Sequence, residues 1–110
     1  MSNLRRVGAE AEDRAADYLL GLGYTIVTRR FKSSRGEIDI IALDGEALVF
    51  VEVKFRKQGM PEEAVDDTKV AHFAEAADEY VYKTEMGECP IRFDIIAITP
   101  SDLRHHIDAF

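Results

Sequence analysis

Asp39, Glu52 and Lys54 are two carboxylates and an ammonium set in runs that are otherwise almost all Ile, Leu, Val, Ala and Phe. They lie in Gly36–Arg56, GEIDIIALDGEALVFVEVKFR, where Asp44-Gly45 joins two extended segments. Asp-Gly between apolar runs is the strongest short-range hairpin signal. With a four-residue turn, 44–47, Leu43 faces Leu48 and Asp39 faces Glu52; with a two-residue turn, Asp39 faces Phe50 and Glu52 lies diagonally on the same side. Either register gathers Glu37, Asp39, Glu52, Lys54 and Arg56 at the far end of one face. Ile38, Ile40 and Ala42, with Ala47, Val49, Val51, Val53 and Phe55, then make the other face wholly apolar.

Directly opposed side chains on paired strands have Cβ atoms roughly 4.5–5.5 Å apart, and like charges there are destabilising. A divalent cation offsets that repulsion. Carboxylate oxygens with a neighbouring backbone carbonyl are the hard ligands magnesium accepts while keeping several waters, and manganese suits the same set. Lys54 lies on the Glu52 face, about 6.7 Å further along the strand, beside those waters. The plain alternative is a solvated hairpin end cross-linked by Lys54 and Arg56. Against it stands the apolar character of the flanking residues, which marks an interior sheet where unpaired charge is expensive.

GEID followed by VFVEVK, with Glu-x-Lys on the second strand, resembles the PD-(D/E)xK nuclease signature, and more closely the YraN-like family, presumed relatives of Holliday junction resolvases. Gly8, Glu12, Ala15 or Ala16, and Tyr18-Leu19 match the family's first helix. Arg29-Arg30-Phe31-Lys32 stands where the family usually has Arg-Asn-Tyr/Phe-Arg, so Arg30 replaces the Asn. Lys69, Arg92-Phe93-Asp94 and the closing His-Ile-x-x-Ala-Phe also match, whereas Val70, Ala71 and His72 occupy positions where relatives often carry a further basic residue. The resemblance implies a three-layer α/β sandwich with a mixed sheet, in the restriction-endonuclease-like αβββαββ order. It also implies a magnesium-dependent endonuclease acting on DNA, on branched or damaged structures. In that reading Asp39, Glu52 and the Val53 carbonyl hold the metal, Glu12 is an extra ligand, and Lys54 orients or helps deprotonate the attacking water.

The elements that must position these residues can be read in order. Val7, Ala11, Ala15, Tyr18, Leu19 and Leu22 recur at helical spacing, predicting a helix from Val7 to Leu22 that Gly23 terminates. Glu12 lies next to the buried Ala11 position and is either an exposed helix glutamate or a group reaching the sheet. Tyr24–Phe31 is β-branched and aromatic, a first strand, and Ser33–Gly36 turns into the hairpin. Lys57–Ala64, broken by Gly59 and Pro61, reads as a loop suited to be a mobile lid. Asp66, Asp67 or Thr68 caps a second helix with Val70, Phe73, Ala74, Ala77, Tyr80 and Val81 on one face. Lys69 sits in its first turn, where the helix dipole disfavours a cation unless a phosphate is near. Ile91–Ile98 is a further strand and Leu103–Phe110 an edge segment. Helix, three strands, helix and two strands make an α/β sandwich. Asp94 is assigned a structural role, bonded to Arg92, a turn or a basic residue at the site.

At 110 residues, with 46% hydrophobic and 32% charged residues, the chain is of single-domain size, 1–110. One cysteine, Cys89, allows neither an intrachain disulfide nor a cysteine zinc site. No signal-peptide core or long apolar run is present, so a cytoplasmic protein with no membrane contact is expected. Net charge is −7, which argues against a nucleic-acid partner. The charge is uneven, however: residues 1–58 carry +1 and residues 59–110 carry −8. Arg29, Arg30, Lys32, Arg35, Arg56, Lys57 and Lys69 cluster around the proposed site as candidate nucleic-acid contacts, while a solubilising loop is the other reading of the first four. A nucleic-acid or protein-binding module without turnover is the second function, and a homodimer is possible by analogy with resolvases. His72, His105 and His106 show no metal-ligand spacing and are read as surface or packing residues.

Overall fold

The computed structural model describes residues 2–57 and 67–110, with side chains from Gly8 in the first helix and from Lys69 in the second. Of the loop expected over Lys57–Ala64, residues 58–64 lie outside the described residues, as do Asp66 and the side chains of Asp67 and Thr68 among the candidate caps.

Helix α1 spans Ser2–Gly21, starting earlier than the apolar spacing indicates. Leu4, Arg5 and Arg6 are good helix formers, which lets the helix begin before the apolar spacing does. Ala11, Ala15, Ala16 and Leu19 form its buried stripe. The helix ends in a Schellman arrangement: Gly23 adopts φ +94, its N–H donates to the Leu20 carbonyl at 3.0 Å, and the Tyr24 N–H donates to the Leu19 carbonyl at 3.0 Å. That reversal sends Tyr24 back onto the core as the chain enters β1 (Thr25–Lys32).

Strands β2 (Glu37–Asp44) and β3 (Ala47–Phe55) form the hairpin, followed by α2 (Asp67–Thr84), β4 (Ile91–Thr99) and β5 (Asp102–His106). The sheet order is β1-β2-β3-β4-β5. β3 and β4 are parallel and the other neighbours antiparallel, so the expected mixed sheet is present. β5 stops at His106, short of the expected Phe110, because Asp108 takes a left-handed φ of 56 and turns the chain away.

Two apolar clusters show a helix on each face of the sheet. Leu19 and the α1 alanines pack with Ile40, Ala42, Val49, Val51, Ile96 and Ile98. Phe73, Ala76, Ala77 and Tyr80 of α2 pack with Ile38, Ile41, Leu48 and Phe50. The β1–β2 turn is tied to α2, where the Ser34 N–H and Oγ both donate to Glu79 Oε1, at 3.4 and 3.2 Å.

The hairpin pairs Leu43 with Leu48 and Asp44 with Ala47. This is the register expected for a four-residue turn, tightened to Gly45-Glu46 with Gly45 at φ +61. Pairing stops at Ile40 and Val51, so Asp39 and Glu52 are not Cα partners. The alternation also breaks there. Ile38 joins the α2 cluster, while Ile40, Ala42, Ala47, Val49, Val51, Val53 and Phe55 gather at the α1 cluster, so the apolar face expected from strict alternation holds except at its end, where Asp39 rather than Ile38 lies on the α1 side. A period-2 reading requires an unbroken pleat, and β2 loses its β3 ladder at this point.

The other end of the sheet is held by a buried polar centre. Asp94 is 0% exposed and accepts from Arg92 Nε and NH2, both at 2.9 Å, from His105 Nε2 at 2.7 Å and from the Asp108 N–H at 2.9 Å. Arg92 continues to Asp44 at 2.9 Å and to the Tyr24 hydroxyl at 2.7 Å. His105 is thus a member of this interior network, with 4% of its side chain exposed.

Candidate functional site

The site forms where β2 and β3 part. Here the Val53 N–H donates to Oδ2 of Asp39 at 2.7 Å, so the carboxylate lies between the strands in place of a ladder partner. Burial and then the charge of Glu52 push the Asp39 carboxyl up to about 7, against the Val53 bond, with Glu12 and Glu37 adding to the rise. Burial also raises Glu52, opposed by Lys54 and Lys69. Lys54 Nζ stands 3.3 Å from Glu52 Oε1, the two side chains being 11% and 22% exposed. Two carboxyls that resist ionisation, with an ammonium beside one of them, therefore share one end of the central hairpin.

They do not share one face. Asp39 and Val53 open into a cleft of about 580 Å³ lined also by Gly8, Glu12, Arg30, Lys32, Glu37 and Phe55. Glu52 opens into a second cleft of about 200 Å³, lined also by Arg35, Glu37, Lys69, His72 and Phe73. The first adjoins α1 and the second α2. The expected single charged face is thus divided, with Glu37 bordering both halves.

Glu12 is buried and borders the first cleft, as expected of a group reaching the sheet. Its Oε1 is held, however, by Arg29 Nε and NH2 at 3.2 and 3.0 Å and by Arg30 Nε at 3.0 Å. Arg29 also binds Asp13 at 2.7 Å. These two arginines, candidates for phosphate contact, therefore hold carboxylates, and Arg30 does so from a left-handed φ of 55. Arg35 lies 3.6 Å from Glu75. Lys32 is exposed at the first cleft and Lys69 at the second, and Arg56 and Lys57 are exposed beyond the end of β3. The basic residues are consequently distributed over both sides of the parted strands.

Among the described residues, no three His, Cys, Asp or Glu side chains converge to hold a metal ion. The donors the site offers are the Asp39 and Glu52 carboxylates and the Val53 carbonyl, all oxygen. That set fits magnesium, which binds through one or two carboxylates and retains its waters, and the same hard donors suit manganese. Mutual repulsion between buried carboxylates is also the condition a cation relieves.

Two lining residues, Glu37 and His72, have no site role assigned from the sequence. Glu37, two residues before Asp39, belongs to the charged end of the hairpin but carried no assigned role. His72, three residues after Lys69, shares its helix face, which would have placed it at the second cleft.

The parted hairpin, its carboxylates and lysine, and the helix on each side define an α/β protein with a polar centre built into a mixed sheet. The chain belongs to the uncharacterised protein family UPF0102, whose model matches residues 11–98; this is the YraN-like membership that the sequence resembles. A UPF0102 protein of Persephonella marina is 42% identical over 106 residues, covering 94% of this chain and 91% of that protein. One from Thermodesulfovibrio yellowstonii is 43% identical over 107 residues, covering 94% and 95%, and one from Caldicellulosiruptor saccharolyticus is 38% identical over 99 residues, covering 87% and 84%. Among the described residues no helix is long and apolar enough to cross a membrane.

Proposed function

We propose that this chain is a metal-dependent endonuclease of the PD-(D/E)xK type that hydrolyses DNA phosphodiester bonds, with magnesium as its ion and manganese as a substitute. The observation that carries the reading is that Asp39, bonded to the Val53 N–H at 2.7 Å, and Glu52, 3.3 Å from Lys54, border the same parted end of β2 and β3, one on each side of β3. The mixed five-stranded sheet with a helix on each face supports the reading.

Asp39, Glu52 and the Val53 carbonyl would hold the ion, and Glu12 would join them only in competition with Arg29 and Arg30, which hold its Oε1. When bound, magnesium supplies a water of lowered pKa and counter-charge for the phosphate. Lys54, held 3.3 Å from Glu52, would orient or help deprotonate the attacking water. Lys32 on one side and Arg35 and Lys69 on the other place cations where a nucleic-acid backbone crosses the end of the sheet. The cytoplasm, where DNA and magnesium are both present, is the proposed place of work.

The test is incubation with magnesium or manganese and linear, nicked, flap and four-way DNA, with RNA in parallel. Asp39→Asn, Glu52→Gln and Lys54→Ala should each lower cleavage by about 100-fold or more, the scale of removing one electrostatic stabiliser. Cleavage undiminished in these variants removes the mechanism. A second reading, a binding module without turnover, is favoured by the net charge of −7 and by the pairing of Glu12 with two arginines. Its signature is retardation of DNA without cutting, lost as salt is raised.

A further inference from the structure

We infer that Phe110 is a stacking platform for an unpaired nucleobase, so that the nucleic acid this site takes is single-stranded or locally unpaired. The inference rests on the nucleic-acid reading proposed above and narrows its substrate class.

Three aromatic rings run outward from the core to a small crevice beside Glu52. Phe50 is fully buried. Phe93 lies against it with centroids 5.8 Å apart, and Phe110 stacks on Phe93 at 6.0 Å with the planes only 20° apart. Phe73 meets Phe110 edge-on at 5.4 Å. Phe110 is the outermost ring, and it remains 36% exposed. Its surroundings are charged: a crevice joins it to Glu52, Lys54 and Lys69. A partly exposed ring that shares a crevice with Glu52, Lys54 and the surface residue Lys69 sets an aromatic face for a base beside basic residues, the two features single-strand binding uses. A base within an intact duplex has no free face to offer.

The ring is also anchored more firmly than burial alone would do. The Ala109 N–H donates to the Phe93 carbonyl at 2.7 Å, and the Asp108 N–H donates to the buried Asp94 carboxylate at 2.9 Å. Asp108 accepts a left-handed φ of 56 to make the turn. A platform needs this fixity, because a ring already ordered loses little freedom when a base settles on it.

The chain contains no tryptophan, so Phe110→Trp introduces a single indole reporter. Without metal, a short single strand should quench its fluorescence, and a blunt duplex of equal length should not. Phe110→Leu, which keeps apolar volume without an aromatic face, should bind the strand on the order of 10-fold more weakly. Its melting temperature should stay close to that of the native protein, and Phe110→Trp should restore the affinity. DNA and RNA strands are run side by side to identify the sugar. Native affinity in Phe110→Leu, equal quenching by duplex, absence of quenching by a strand that binds, or no strand binding by the native protein each overturns the inference. Because binding is read without metal, the two readings fail separately. Stacking without cleavage in any condition removes the nuclease and keeps the platform; cleavage unchanged in Phe110→Leu does the reverse.

Discussion

The backbone N–H of Val53 donates to the side chain of Asp39 at 2.7 Å, across the point where the central hairpin stops pairing. A main-chain donor that would otherwise serve a strand ladder is thereby satisfied by a carboxylate. This places Asp39 between the strands, on the first cleft, while Glu52 and Lys54 remain on the far side of β3. The two acids feel each other's charge through the opening without being cross-strand neighbours.

That position makes Asp39 costly to the fold above neutral pH. Its carboxyl rises from 3.8 to about 7 on folding, so the folded state prefers the protonated form. Its stabilising contribution is complete below the unfolded value and is lost as pH rises through about 7. Asp39→Asn keeps an oxygen for the Val53 N–H and carries no charge. It should stabilise the protein at pH 8 by up to 2–4 kcal/mol as an order of magnitude, with the gain shrinking as pH falls toward 4. Thermal melts across that range check this; a gain independent of pH would show that charge burial at Asp39 is not its cause.

A bound cation should act on the same penalty. Magnesium must displace the proton from Asp39, so its affinity should fall as pH drops below about 7. At 100 times its dissociation constant a ligand stabilises by about 2.7 kcal/mol. Magnesium should therefore raise the melting temperature of the native protein more at pH 8 than at pH 6, and Asp39→Asn should abolish the difference. An equal rise in both proteins would place the ion elsewhere.

Lys54 offers a separate handle on Glu52. Replacing it by Met preserves most of its apolar stem but strips Glu52 of the ammonium 3.3 Å away. Burial then acts on Glu52 with Lys69 as the remaining opposing cation among its principal influences, so the Glu52 carboxyl should rise further. Metal-dependent cleavage should fall by about 100-fold, while stability falls by about 1–2 kcal/mol. Collapse of the fold would instead make Lys54 a structural cation.

Much of this arrangement was legible in the chain because it rests on local chemistry. Asp44-Gly45 marks the hairpin, Gly23 the helix end, and the continuous apolar character of β3 and β4 a sheet covered on both sides. Leu43 opposite Leu48 was among the registers the turn allows. What was not legible depends on contacts between distant elements. Ile38 and Ile40 face opposite sides because β2 separates from β3, and alternation carries no information about where a ladder ends. Glu12, Arg29 and Arg30 each look functional singly, and the pairing that occupies all three appears only when α1 packs beside β1. His105 reads as either a surface or a packing residue, and only the pairing of β5 brings it into the interior against Asp94.

The Asp94 centre should behave in the opposite sense to Asp39. Burial works against its ionised form, yet the bonds from His105, Arg92 and the Asp108 N–H outweigh it and hold the carboxyl down to about 2. This stabilisation is present above 3.8 and lost as pH falls through about 2. Arg92→Leu leaves a fully buried carboxylate without its two-pronged partner and should cost about 3–5 kcal/mol at neutral pH. Urea unfolding measures it. A cost under about 1 kcal/mol would show that His105 and the backbone donor suffice.

Arg30 tests whether Glu12 belongs to the ion. Its φ of 55 is unfavourable for an arginine, and its guanidinium, 3.0 Å from Glu12 Oε1, is on a side chain 55% exposed. Arg30→Gly relieves the backbone strain and removes a pair of modest worth, so stability should change by less than about 1 kcal/mol. Glu12 would keep Arg29 but lose one of its two competitors for a cation. Magnesium, followed by its effect on the melting temperature, should then bind several-fold tighter, and the advantage should vanish when Glu12→Gln is added. DNA affinity should fall, with the salt slope reduced by about 1 if Arg30 also meets a phosphate. Unchanged magnesium affinity in Arg30→Gly would mean that Glu12 serves only to fix the two arginines beside the cleft.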